Sequence, residues 1–81
     1  MEQLKSKIKN LIVEVIDDLS INIDEITDET DLFQVGMDSL SSVKLIIAIE
    51  TEFNFEFYDE DLTVETLRNV ESISQYVSGR I

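Results

Sequence analysis

Ser39-Leu40-Ser41-Ser42-Val43-Lys44-Leu45-Ile46-Ile47-Ala48-Ile49-Glu50-Thr51-Glu52-Phe53 is the stretch on which the fold turns. Leu40, Val43, Ile46, Ile47, Ile49 and Phe53 follow helical spacing, and Leu45 and Ala48 widen the apolar arc. The β-branched isoleucines favour a strand locally. The pattern nevertheless runs for about 15 residues, longer than a usual strand, and predicts a helix. So wide an arc marks it as the most buried helix of the chain.

Just upstream, Gly36-Met37-Asp38-Ser39-Leu40 sets a serine hydroxyl at the exposed start of that helix, after a flexible glycine. From Ser20 to Asp38 the pattern loosens. Asp24, Glu25, Asp28, Glu29 and Asp31 alternate with Ile21, Ile23, Ile26, Leu32, Phe33 and Val35. A loop this long in a small domain is normally functional. Its spaced apolar residues predict that it is pinned to the core at several points, with a short helical turn near Asp28 to Phe33. Earlier still, Leu4, Ile8, Leu11, Ile12, Val15, Ile16 and Leu19 form a helical stripe. Lys5, Lys7 and Lys9 near its start and Asp17 and Asp18 near its end oppose the helix dipole, so packing must hold this helix.

Downstream, Phe53, Phe55 and Phe57 alternate. With no second strand to pair with, this segment is expected to be an extended connector whose rings cover the core. Asp59-Glu60-Asp61-Leu62 has the acids that favour a helix start. Val70, Ile73, Tyr76 and Val77 give a last helix, with Asn69 as its cap and Gly79 as its glycine stop. The expected fold is all-α: a small four-helix bundle, three main helices plus one short helix, with a long loop between helices one and two. Residues 1–81 are expected to form a single domain.

Eighteen acids against six bases give a formal net charge of −12. Nucleic-acid affinity rests on phosphate neutralisation, and anionic membranes repel acidic surfaces, so neither partner is expected. The longest apolar run, Leu45 to Ile49, is far short of the ~20 residues that span a bilayer. The first residues lack the apolar core of a secretory signal, so a cytoplasmic protein is expected; a monomer is expected as well. There is no cysteine or histidine, which excludes disulfides and Cys/His zinc sites. The acidic clusters lack the alternating ligands and central glycine of a calcium loop. A DNA-mimicking inhibitor is supported by charge alone.

Ser39 has three readings. Asp38 or Ser39 can cap the helix, since either oxygen accepts orphan backbone N–H groups. As a hydrolytic nucleophile Ser39 lacks a base, because the chain has no histidine and Lys44 lies on a different helix face. As a modification site it suits a phosphate ester, which the positive end of a helix favours.

The segment Asp31-Leu32-Phe33-Gln34-Val35-Gly36-Met37-Asp38-Ser39-Leu40-Ser41-Ser42-Val43 resembles the attachment motif of acyl carrier proteins. The resemblance extends along the chain, through Glu50-Thr51-Glu52-Phe53, Phe55-Glu56-Phe57 and the closing Val70, Ile73, Tyr76 and Val77. It implies a carrier and not an enzyme. Ser39 would bear 4′-phosphopantetheine from coenzyme A, and acyl or aminoacyl cargo would ride as a thioester on its thiol. The cofactor would thus supply the thiol that the cysteine-free chain lacks. The implied partners are a phosphopantetheinyl transferase, an acyl- or aminoacyl-loading enzyme and a downstream synthase or transferase. Met37, Asp38, Leu40, Val43 and Lys44 are the expected contact residues, and the isoleucines of the second helix, mostly core, would also line a cargo pocket. Fatty-acid carriers of this type are acidic just after the motif, where this chain has Ser41 and Lys44. That difference points away from housekeeping fatty acid biosynthesis, and Glu60-Asp61-Leu62-Thr63 and Leu67-Arg68-Asn69-Val70 look more like free-standing carriers of a specialised polyketide or nonribosomal pathway.

Overall fold

In a computed structural model, which describes residues 2–16 and 19–81, the described residues form four α-helices. They are α1 (Glu2–Val15), α2 (Ser39–Phe53), α3 (Val64–Leu67) and α4 (Val70–Ser78). No strand is formed among the described residues. α1 packs against both α2 and α4, and α3 lies against α4. Ile8 and Ile12 of α1, Leu45 and Ile49 of α2, and Val70, Ile73 and Val77 of α4 close the centre with no exposed surface.

α1 is shorter than its apolar stripe. Its register ends with the Ile16 N–H donating to the Ile12 carbonyl at 3.0 Å. Leu19 packs on the core from the loop instead. The competing bond is visible one residue on, where the Ser20 N–H donates to the Val35 carbonyl at 2.8 Å and ties the two ends of the loop together. Asp17 and Asp18 lie outside the described residues.

The loop is pinned by buried anchors, as expected for Ile26 and Leu32, which are at most 4% exposed; Met37, not among the expected anchors, is buried with them. It contains two single turns of 3-10 helix, at Ile23–Glu25 and Leu32–Gln34, and not one turn over 28–33. Asp31 explains the difference. It is extended, and its carboxylate accepts the Phe33 N–H at 3.0 Å, so the second turn starts after it.

The lysines of α1 find partners in distant chain. The Lys5 ammonium donates to Asp28 at 2.9 Å and to Glu71 at 2.8 Å, and Lys9 lies 3.4 Å from Asp28. The loop and α4 also meet directly, through the Glu71 N–H and the Asp28 carbonyl. The bonds to Lys5 hold the Asp28 and Glu71 carboxyls below their ordinary values and raise the Lys5 ammonium. Depressed carboxyls stabilise the fold fully above their unfolded values near pH 4, and lose that contribution as pH falls through the lower folded values. The raised ammonium contributes fully below about pH 10. The melting-temperature gap between the parent and Lys5→Met should therefore be flat from about pH 6 to 9 and narrow toward about pH 2.5. A gap of equal size at both extremes would show that these pairs do not stabilise the fold.

α2 ends at Asn54, whose φ of 57° is a left-handed conformation that asparagine tolerates. The Glu50 carboxylate then accepts the Phe57 N–H at 2.8 Å and holds the aromatic connector, which is extended as expected. The acids of Asp59–Asp61 form only a 3-10 turn. The short helix begins later because the Thr63 hydroxyl is its cap, accepting the Thr66 N–H at 3.2 Å. Asn69 caps α4 as expected, accepting from Ser72 at 2.8 Å. Gly79 is not a left-handed stop; its φ of −79° and ψ of −9° are open to any residue.

Candidate functional site

Gly36 has φ 132°, which glycine alone adopts readily, and this turn delivers the chain to α2. Met37 then points into the core, 4% exposed, and its N–H donates to the Leu32 carbonyl at 3.0 Å. Its expected place among the contact residues is therefore corrected: it anchors the loop from beneath.

Asp38, not Ser39, is the cap. Its carboxylate accepts the Ser41 N–H at 2.8 Å, while the Ser41 hydroxyl accepts the Asp38 N–H at 2.9 Å. The Ser41 hydroxyl also donates to the same carboxylate at 2.8 Å, and the Ser42 hydroxyl donates to the Asp38 carbonyl at 2.7 Å. The Ser41 N–H first, and its hydroxyl second, hold the Asp38 carboxyl below its usual value. Ser41 and Ser42 are each 8% exposed and committed to this knot. Ser39 is the first helical residue, exposed, and its hydroxyl takes no part in the knot.

Beside Ser39 runs a cavity of about 360 Å³ between α2 and α3, lined by Phe33, Ser39, Ser42, Val43, Ile46, Leu62, Thr63, Val64 and Leu67. Only the hydroxyls of three of these lining side chains are polar. Of the isoleucines expected to line a pocket, Ile46 does so, while Ile49 is sealed in the core and Ile47 faces solvent.

α2 is also less buried than its composition predicts. Leu40, Val43 and Ile47 are 65%, 53% and 57% exposed, and form a stripe on its outer side. Lys44 beside them is exposed and forms no ion pair among the described residues. It is the only charged residue between Ser39 and Ile49. The sequence reading singled out Leu40, Val43 and Lys44 here and missed Ile47. It also missed Leu62, Thr63 and Val64 as groove wall, since the acids just before them marked the short helix too early.

A bundle of this size, with a serine-led helix beside an apolar groove, is the arrangement of a carrier domain. Residues 6–77 match the family model described as the phosphopantetheine attachment site. The acyl carrier protein of Clostridium perfringens strain SM101 is 41% identical over 73 residues, covering 89% of this chain and 90% of that protein, and that of strain 13 matches equally. Among solved structures, the carrier protein from Agrobacterium tumefaciens, complexed with an engineered Bradyrhizobium japonicum glycine:carrier protein ligase and ATP, superposes with a TM-score of 0.84. It is 29% identical, over 93% of this chain and 96% of that one. The solution structure of ATC2521 from Agrobacterium tumefaciens gives a TM-score of 0.70 at 30% identity, over 91% of this chain and 88% of that one.

The chain belongs to the acyl carrier protein family, and its cofactor is 4′-phosphopantetheine. The site's geometry fits that group. An exposed hydroxyl at the first position of a 15-residue helix gives a phosphate ester room and a favourable dipole. The apolar groove alongside can take the uncharged part of the arm or its cargo.

Proposed function

We propose that Ser39 bears the phosphopantetheine, and that residues 1–81 act as a single free-standing, monomeric carrier with no catalysis of their own. The observation that carries this is the separation of three neighbouring serines: Ser41 and Ser42 are tied inward to Asp38, and Ser39 is free and exposed. In the attachment step the Ser39 oxygen forms a phosphate ester with coenzyme A. The pyrophosphate bond breaks, adenosine 3′,5′-bisphosphate leaves, and the serine proton passes to the transferase or water. When bound, the group supplies a thiol on which an acyl or aminoacyl residue is carried as a thioester. The test is intact mass after incubation with coenzyme A, magnesium and a broad phosphopantetheinyl transferase. One arm per chain is expected, and an unchanged mass would overturn the proposal.

The partners are the transferase, a loading enzyme and a downstream synthase or transferase. An aminoacyl or small-acid cargo is supported by the likeness to a carrier complexed with a glycine:carrier protein ligase. A cytoplasmic setting agrees with the absence, among the described residues, of any helix long and apolar enough to cross a membrane. Partners meet the outer side of α2 next to Ser39, where Asp38, Leu40, Val43 and Lys44 are exposed. Lys44 selects among them by charge. With a fatty-acid ketosynthase, Lys44→Glu should raise kcat/KM by about two- to tenfold through faster encounter. An unchanged rate would remove Lys44 as a selector.

A further inference from the structure

α3 is four residues long and buries only Leu67. A helix of one turn has little stability of its own, so its place depends on what grips the chain at each side. At its C-terminal side the Arg68 carbonyl accepts the Leu32 N–H at 2.8 Å, and the Arg68 guanidinium donates to Asp31 at 3.2 Å. The N-terminal grip comes from the far end of the chain. The Tyr76 hydroxyl of α4 donates to the Asp61 carboxylate at 2.8 Å. The same hydroxyl accepts from the Arg80 guanidinium at 2.9 Å and from the Tyr58 N–H at 3.3 Å. Its one proton and both lone pairs are therefore used. The ring stacks on Phe57 at 4.9 Å, and the Arg80 guanidinium lies 4.0 Å from the centre of the Tyr58 ring.

From Asp61 the grip passes to the groove in two steps. The Asp61 carbonyl accepts the Thr63 N–H at 3.0 Å, and Thr63 caps α3. Leu62, Thr63, Val64 and Leu67 are the groove's wall opposite α2.

We infer that Tyr76 is a positioning residue for the groove: its hydroxyl, steadied by Arg80, fixes Asp61 and so sets how closely the α3 wall stands to Ser39. Burial, and then the bond to Asp61, push the Tyr76 hydroxyl above its ordinary value, so it stays a proton donor at neutral pH. The attachment proposal gives α4 no role. This inference rests on that proposal only for what the groove shelters.

The first test is amide hydrogen exchange on the unmodified chain. Tyr76→Phe keeps the ring and deletes the three bonds, so amides of 61–67 should exchange about three- to tenfold faster, with changes under about twofold in α1 and α2. Asp61→Ala should act like Tyr76→Phe, and Asp61→Asn, which keeps an acceptor oxygen, should stay within about twofold of the parent. A quiet 61–67 segment in Tyr76→Phe, or acceleration spread evenly through α1 and α2, would overturn the inference. The second test loads the chain from butyryl-coenzyme A with a phosphopantetheinyl transferase and follows butyryl release by hydroxylamine. Tyr76→Phe should release it about threefold faster; equal rates would overturn the sheltering role. A parent chain that takes up no butyryl arm would instead overturn the attachment proposal, and exchange would still decide the role of Tyr76.

Discussion

Ser39→Ala should lose all mass gain from coenzyme A, while Ser41→Ala and Ser42→Ala should each still take up one arm. The three hydroxyls lie within four residues, and an attacking oxygen must be reachable and free to turn toward the incoming phosphorus. Ser41 is 8% exposed, accepts from the Asp38 N–H and donates to its carboxylate. Ser42, equally buried, donates to the Asp38 carbonyl. Removing either hydroxyl loosens the start of α2 by about 1 kcal/mol, as lost caps do, and slows the reaction without abolishing it. Intact mass on all three variants decides the matter. A gain that persists in Ser39→Ala, or that vanishes only in Ser41→Ala or Ser42→Ala, would move the attachment site.

Leu45→Ala should destabilise the fold by about 3 kcal/mol, whereas Ile47→Ala should change it by no more than about 0.5 kcal/mol. Leu45 has no exposed surface and sits where α2 meets the core, so truncation leaves a cavity that the backbone cannot collapse to fill. Ile47, two residues on, is 57% exposed and loses little that is buried. A chain of this length is stable by only about 4–12 kcal/mol, so Leu45→Ala removes a large share. Urea unfolding should show a lower midpoint at an unchanged slope. Similar midpoints for the two variants would mean that Ile47 is buried after all.

That pair also marks how far the sequence could be read. Periodicity locates α2 because fifteen residues keep one apolar arc, but an arc wider than half the helix does not say which edge faces water. Leu45 and Ile47 look alike in the chain; only the placement of α1 separates them. Asn69 was legible as a cap because nothing competes with it. Asp38 and Ser39 were not separable, since both are good caps, and the choice falls to Asp38 only because Ser41 can answer it from the third helical position. Thr63 took the start of α3 from the more conspicuous acids before it. The loop's buried anchors were visible as isolated apolar residues, whereas the partners of Lys5 come from 23 and 66 residues away. No local pattern carries such pairings.

The reach of Lys5 has a bearing on how the protein is born. Synthesis runs from the N-terminus, so α1 emerges from the ribosome before α4. Its ammonium and its apolar face wait for α4, whose Glu71 follows Lys5 by 66 residues. The Ser39 turn is translated before the wall beside it and before the helix that supports that wall. A nascent chain thus displays the serine before it possesses the groove.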